Sequence, residues 1–321
     1  MESTNPSSGR LAIVVPAYKV RYLRESLASI ANQTCRNFSL YVGDDASPED
    51  LRAVVEECAD GMDVFYRRFD ENLGSTDLVA QWERCVGLVG DEEWIWLFSD
   101  DDVMGPDCVE KFHEALESQV LTDVFHVHMD IVDSVGQIVK RCGTYPEKCT
   151  VPAFFQELFL GRIDARMPDF ILNKAHFLRQ GGFERFDLAF RSDTATIMKL
   201  AFEQGIATVP RCSMLWRTSG EGLSSSVDRT LSLRKVRASI DFFNWVDVFF
   251  RQRGIPCPIS RSKRLHLVLE NVAFLVRRFG LLAAAKELGR LDFVRRNRLV
   301  FPACIAFLVF QVRFYPDHRG L

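Results

Sequence analysis

The sequence predicts an α/β protein: a Rossmann-like, mostly parallel sheet flanked by helices, with a helical C-terminal extension. Three observations lead there. Apolar runs of strand length alternate with amphipathic runs of helix length through roughly the first 120 residues. Those apolar runs end in polar clusters, where open α/β sheets bind ligands. From about Leu231 onward the pattern is helical only.

The elements follow in order. "LAIVVPA" is a continuous apolar run of the kind that forms a strand buried on both faces. "RYLRESLASIANQ" carries Leu23, Leu27 and Ile30 on one stripe and predicts a helix. "FSLYVGDDAS" is a second strand, and "SPEDLRAVVEECA" opens a helix with Ser47 as N-cap and Pro48 in the first turn. "DVFYRRF" is a third strand, and "STDLVAQWERCVGLV" a helix capped by Ser75 or Thr76. "EWIWLF" is a fourth strand, and "GPDCVEKFHEALES" the next helix. Further on, "DVFHVHMDIVD" and "QIVKRC" flank Ser134–Gly136 as an antiparallel hairpin, and "PAFFQELFLG" reads as a short helix. "PDFILNKAHFLRQGGF" runs from a strand into a helix closed by Gly181, and "RSDTATIMKLAFEQG" is a helix with Ser192 or Asp193 near its start. The expected division is a flexible N-terminus over 1–9, a main domain over 10–225 and the helical extension over 226–321.

Composition narrows the function. The 321 residues are 47% hydrophobic and 26% charged, as in globular proteins. A net charge of −3 argues against a nucleic-acid partner held by bulk electrostatics. The opening "MESTNPSSGR" has neither the basic start nor the apolar core of a secretory signal. Nine cysteines, with no C-x-x-C pair, predict reduced thiols in a cytoplasm rather than a disulfide framework or structural zinc. No run reaches the ~18 apolar residues of a membrane span. "LVFPACIAFLVF" comes nearest, flanked by Arg295, Arg296, Arg298 and Arg313. Residues 295–313 therefore read either as a helix packed on the protein, the favoured reading, or as a contact with the inner face of an anionic membrane.

Three adjacent aspartates, Asp100, Asp101 and Asp102, follow the fourth strand, near the acidic pair Asp44 and Asp45 after the second. Like charges at an apolar strand end repel and resist ionisation, so something must compensate for them. Hard oxygen ligands suit Mg²⁺ or Mn²⁺ holding a phosphate. A calcium loop fails, because the fifth position from Asp100 is Met104 and the twelfth is Lys111. A dinucleotide site fails too, since the turn after the first strand, "PAYKVRY", has no glycine. The bland alternative is one aspartate capping a helix and two solvated ones. His126 and His128 share a strand face without a third ligand at metal spacing, and Trp82, Trp94 and Trp96 fall at core positions.

"VVPAYKV", "VGDDAS", "ENLGS", "FSDDDVMGPD" and "GGFERFDLAFRSD", in this order, resemble a family 2 glycosyltransferase of the GT-A fold across roughly residues 10 to 225. The resemblance implies a nucleotide-sugar donor, typically a UDP-sugar, a divalent cation (Mn²⁺ or Mg²⁺), and a glycan or lipid-linked glycan as acceptor. It places Pro16, Ala17 and Tyr18 against the nucleotide, Asp45 on the base and Asp100 near the ribose. It makes Asp101 the metal ligand, with Asp102 an additional candidate. It makes Asp193 the general base, and Gly181, Gly182 and Phe183 the turn shaping the acceptor side. Three departures stand out. Ser99 occupies the place of the motif's first acid, Ser192 replaces the glutamate before the base, and the usual Arg-Asn pair after "ENLGS" is missing.

The chemistry agrees with that assignment. A sugar cation forms as a diphosphate leaves, a cation stabilises the departing charge, and a base on the opposite face implies single displacement with inversion. "LWRTSGEGLSSS" from Leu215 reads as a mobile segment able to fold over the diphosphate with Arg217 as phosphate partner, or as a linker. The rival readings are a catalytically silent GT-A protein that binds nucleotide or glycan, and a nucleotidyltransferase. The latter lacks its G-x-G-x-R segment here.

Overall fold

Unbroken apolar runs become the inner strands. In the computed structural model, which describes residues 10–59, 61–218, 229–279, 281–296, 301–302 and 304–308, β1 (Leu11–Ala17) and β2 (Phe38–Asp44) are buried almost throughout. They pair in parallel from Leu11↔Phe38 to Ala17↔Asp44. β3 (Val64–Arg68) extends the sheet beyond β2, and β4 (Trp94–Leu97) lies on the other side of β1, both parallel. The remaining strands are β5 (Val103–Met104), β6 (Val124–Val132), β7 (Ile138–Arg141), β8 (Lys148–Cys149), β9 (Phe170–Asn173) and β10 (Ile206–Arg217).

Sheet order is β3-β2-β1-β4-β9-β6-β10-β5, with β7 on β6 and β8 on β10. β9 runs antiparallel to both β4 and β6. β1, β2, β3, β4, β6 and β10 therefore share one direction, and the short strands oppose it.

β10 is a strand that the sequence pattern hides. Its register with β6 jumps between Thr208 and Ser213. The bulge takes up Pro210, which has no N–H to donate, and Arg211, held at φ 55°. Leu215, Trp216 and Arg217 pair with Asp130, Ile131 and Val132. The expectation of a mobile segment starting at Leu215 is thereby corrected, since the β6 ladder fixes those three residues. The rest of that segment, residues 219–228, lies outside the described residues.

The helices up to residue 200 are α1 (Leu23–Ala31), α2 (Leu51–Cys58), α3 (Leu78–Val86), α4 (Cys108–Glu117), α5 (Val151–Phe159), α6 (Lys174–Arg179) and α7 (Ser192–Leu200). α1 buries Leu23, Leu27 and Ile30, the expected stripe. Two caps differ from expectation. Asp50 caps α2 by accepting from Ala53 N, and Asp77 caps α3 by accepting from Ala80 N. Ser47 is otherwise engaged, its hydroxyl donating to Tyr18 O at 2.6 Å. Trp94 packs edge-on to Phe112 and Phe125, and the Trp96 indole donates to Pro168 O at 2.6 Å, so both are core side chains.

Two compact units result. One comprises residues 1–184 and 196–219, and the other residues 185–195 and 220–321. The second contains α8 (Arg229–Gln252), α9 (Arg261–Phe279), α10 (Leu281–Leu288) and α11 (Asp292–Arg296). Within it Arg237 forms a two-pronged bond with the buried Glu287 at 2.7 and 3.0 Å, and Arg264 pairs with Asp247 at 2.6 Å. Among the described residues no helix is long and apolar enough to cross a membrane.

His126 is buried on β6, its ring stacked on Tyr145 with centroids 3.5 Å apart. Its Nδ1 has no partner among the described residues. Burial, reinforced by His128, pushes its pKa well below the ordinary value. The unfolded chain takes up a proton below about pH 6.5 and the folded chain does not, so stability falls as pH drops through that value. His126→Phe is expected to flatten the acid-side fall in Tm between about pH 7 and 5; parallel Tm profiles for variant and parent would refute this account.

Candidate functional site

The carboxyl ends of β1, β2 and β4 are tied together by their own polar groups. Asp45 N donates to Ala17 O at 2.9 Å. Asp100 Oδ2 accepts from Tyr18 N at 2.9 Å and from Lys19 N at 3.2 Å. The Ser26 hydroxyl, on α1, donates to Ser99 O at 2.9 Å. Pro16, Ala17, Tyr18, Asp45, Asp100, Asp101 and Asp102 thus belong to one edge of one sheet.

Each acid has its own compensation. Asp44, fully buried, accepts from Tyr66 Oη at 2.5 Å, Arg68 Nη1 at 2.8 Å and Ser47 N at 2.8 Å. The Tyr66 hydroxyl is pushed up to about 12, by burial first and then by its bond to Asp44. Asp45, also buried, accepts from Leu73 N at 2.8 Å and Gly74 N at 2.9 Å, and pairs with Arg84 Nη2. The "ENLGS" glycine has a steric cause: a Cβ on Gly74 would lie 2.6 Å from Asp45 Oδ2. Burial pushes the Asp100 carboxyl up, against the pull of its two backbone donors.

Arg84 escaped the sequence reading. It sits in the last turn of α3, lies over the Phe69 ring at 4.0 Å, and also donates to Glu71 O at 2.8 Å. The signal was present, because Arg84 is the one basic residue in "LVAQWERCV". It supplies the cation that pairs with the buried Asp45.

Asp102 is completely buried. Its Oδ1 accepts from Arg217 N at 2.8 Å, while Oδ2 has no partner among the described residues. Burial pushes this carboxyl well above the usual range, and the charge of Asp101 adds to the shift. Asp101 itself is half-buried. The same Arg217 donates through Nε to Asp101 O at 2.9 Å, through Nη1 to Asp133 O at 3.3 Å and through Nη2 to Glu25 Oε2 at 2.8 Å. Its guanidinium lies 4.6 Å from the Tyr22 ring centroid. Arg217 is therefore a buried clamp on the aspartate loop, at the end of β10 rather than in a loop beyond it.

The turn "GGF" is built for backbone shape. Gly181 and Gly182 have φ of 79° and 74°, the left-handed region that favours glycine. Phe183 turns inward, against Phe177 at 4.8 Å and Trp82 at 5.5 Å.

Asp193 belongs to the second unit, in the first turn of α7. Its Oδ1 accepts from Thr194 N at 2.6 Å. Ser192 and Thr194 are buried while Asp193 is half-buried, which leaves its carboxylate reachable. Ser192, in the place of the missing glutamate, accepts from Phe186 N at 3.0 Å and closes the loop before the helix. Inside that loop Leu188, Ala189 and Arg191 have φ of 60°, 55° and 69°. Such conformations cost about 1–3 kcal/mol each and cluster at functional sites.

A mostly parallel sheet of this order with an acidic edge has the GT-A fold, and the comparisons agree on the fold. Residues 12–171, about half of the chain, match the model of glycosyl transferase family 2. Through this domain the chain belongs to the family 2 glycosyltransferases, and it is an enzyme of that class. A sequence comparison with curated proteins finds no match. Among solved structures the chain is similar to TarS of S. aureus, residues 1–349, in complex with UDP-GlcNAc. That likeness has a TM-score of 0.62 and 14% identity, over 88% of this chain and 82% of the other. It is also similar to TarS 1–349 in complex with UDP, with a TM-score of 0.54 and 13% identity, over 95% and 91% of the two chains. At these identities the likeness is one of fold.

Removing one partner of a buried ion pair strands the other. Arg84→Leu is expected to lower unfolding stability by about 3 kcal/mol at neutral pH, and Asp45→Asn in the same chain to recover most of it. Urea midpoints check this; equal losses in the single and double variants would remove the pair's role.

Proposed function

We propose that the chain transfers a sugar from a UDP-sugar to an acceptor hydroxyl, with inversion, in the synthesis of a cell-surface glycan. The observation that carries this reading is the acidic edge at Asp100–Asp102, where a buried carboxylate oxygen of Asp102, without a partner among the described residues, lies beside the half-buried Asp101. The fold likeness to chains in complex with UDP and UDP-GlcNAc supports the choice of donor.

Roles follow from the free valences. A carboxylate offers about four acceptor positions. Asp45 uses three of them on Leu73, Gly74 and Arg84, which leaves one for the imide N–H of a uracil base. Asp100 commits Oδ2 to Tyr18 and Lys19, so a ribose hydroxyl would meet Oδ1. Pro16, Ala17 and Tyr18 would lie along the nucleotide, with Tyr18 the exposed member.

Among the described residues no cluster of three or more His, Cys, Asp or Glu side chains is placed to hold a metal. Mg²⁺ commonly needs only one or two carboxylates beside phosphate oxygens, and the unpartnered Asp102 oxygen beside Asp101 fits that donor set. Asp101 and Asp102 would hold Mn²⁺ or Mg²⁺, which when bound supplies Lewis-acid stabilisation to a diphosphate. Asp193 takes the proton from the acceptor hydroxyl, a contribution of about 10²- to 10⁴-fold. The acceptor oxygen then bonds to the anomeric carbon as the bond to the diphosphate oxygen breaks on the opposite face.

Calorimetric titration of UDP with Mn²⁺, repeated with EDTA, is expected to show binding only with metal. Asp101→Ala should lose that binding, while Asp193→Ala should keep it and lose transfer. Full transfer by Asp193→Ala, or UDP binding indifferent to both metal and Asp101, would sink the respective assignment.

We further propose a cytoplasmic protein meeting lipid-linked acceptors at the inner membrane face, with the arginines of 295–313 touching anionic headgroups. Arg295 is exposed, whereas Cys304 and Leu308 are buried, which favours packing of these apolar residues with Arg295 outward. Flotation with phosphatidylglycerol vesicles at low salt should recover the protein, and Arg295→Glu with Arg298→Glu should release it. No flotation of the parent chain would end the membrane proposal.

A further inference from the structure

We propose that the Asp187–Arg234 pair is a positioning device for Asp193, so that α8 of the C-terminal unit is part of the catalytic apparatus. The inference rests on the reading of Asp193 as general base.

Its geometry lies wholly within the second unit. Arg234 donates to Asp187 through two parallel bonds, Nε to Oδ2 at 2.9 Å and Nη2 to Oδ1 at 2.6 Å. Such a fork fixes direction as well as distance. The neighbouring Phe186 ring stands edge-on to Phe242 at 5.8 Å and to Trp245 at 6.3 Å, both on α8. Two further features of the segment need this anchoring. Leu188, Ala189 and Arg191 hold left-handed backbone that relaxes unless both ends of the loop are fixed. The far end is fixed by Ser192 Oγ, which accepts from Phe186 N, and Asp193 follows at once. The near end is fixed by Arg234.

The pair is ill suited to a purely stabilising role. Its side chains are 33% and 41% exposed, and exposed ion pairs contribute little to folding. The Arg234 bond holds the Asp187 carboxyl below the usual range, so the pair is ionised at neutral pH. What a forked, exposed pair beside a strained loop offers is orientation. Releasing it lets residues 187–191 relax and tilts the first turn of α7. A misplacement of about 1 Å at a reacting group costs on the order of 10²-fold in rate.

Hydrogen exchange on the full chain tests the positioning directly. In Arg234→Met, amides of 186–195 are expected to exchange at least tenfold faster, with the amides of β1, β2 and β4 and the urea midpoint unchanged. Arg234→Lys, which keeps the charge without the fork, should fall between, and Asp187→Asn should match Arg234→Met. Unchanged exchange over 186–195 would overturn the proposal, and so would equal acceleration throughout α8, which marks simple loss of structure. UDP release from UDP-GlcNAc gives the functional arm. Arg234→Met should lower kcat about 10²-fold with KM for the donor unchanged. An unaltered kcat with faster exchange would overturn the catalytic part. If Asp193→Ala retains the parent's turnover, it is the reading of Asp193 that fails, and the exchange result still decides whether the pair holds the loop.

Discussion

Burying carboxylates at the ends of apolar strands is the constraint on which the rest of the sheet's polar edge depends. An ionised group removed from water must find hydrogen-bond donors or an opposite charge, or give up its charge. Asp44 finds a phenol, a guanidinium and an amide. Asp45 finds two amides and a guanidinium, and Asp100 finds two amides. Asp102 finds the Arg217 amide and the Ser99 side chain, and its Oδ2 has no partner among the described residues. The loops are shaped by these needs. The turn at residues 71–75 bends so that two successive N–H groups reach Asp45, and Gly74 lacks a side chain because the carboxylate is already there. A similar close approach governs Gly105, whose Cβ would lie 2.4 Å from Ser213 O.

Much of this was legible in the sequence, and the reasons differ by element. β1, β2 and β4 declare themselves because strands buried on both faces have no polar residue to interrupt them. α1 declares itself through a stripe that buries Leu23, Leu27 and Ile30. The caps of α2 and α3 were misplaced by a few residues, since Ser, Thr and Asp all cap well and only the tertiary engagement of Ser47 decides among them. β10 was not legible at all. A proline and an arginine in mid-strand argue against a central strand, and only the bulge opposite β6 makes them tolerable.

Partnerships across long sequence separations were the other gap. Arg217 lies far along the chain from Asp101 and Asp102, and nothing in local pattern joins them. Its fivefold engagement, with Asp101, Asp102, Asp133, Glu25 and the Tyr22 face, arises because β10 ends where β4 ends. The resemblance to a family pointed to the acidic residues of this edge, yet it could not say which donors the protein keeps for itself. Asp193 is the same case. Sequence placed it near a helix start, while its grouping with the C-terminal helices comes from the folded chain.

The bulge in β10 has a consequence for how this protein tolerates change in chain length. Strand register is normally unforgiving, because a slip by one residue turns every side chain to the wrong face. Here the ladder is already broken between Thr208 and Ser213 and resumes at Ser213↔His128. An insertion between the exposed Pro210 and Arg211 enlarges the outpocket there, while the buried Val209 and Cys212 hold its two ends. Ser213–Arg217 keep their partners, so Arg217 keeps its grip on the aspartate loop. The bulge acts as an expansion joint, letting one part of the strand vary while the part that serves the acidic edge stays in place.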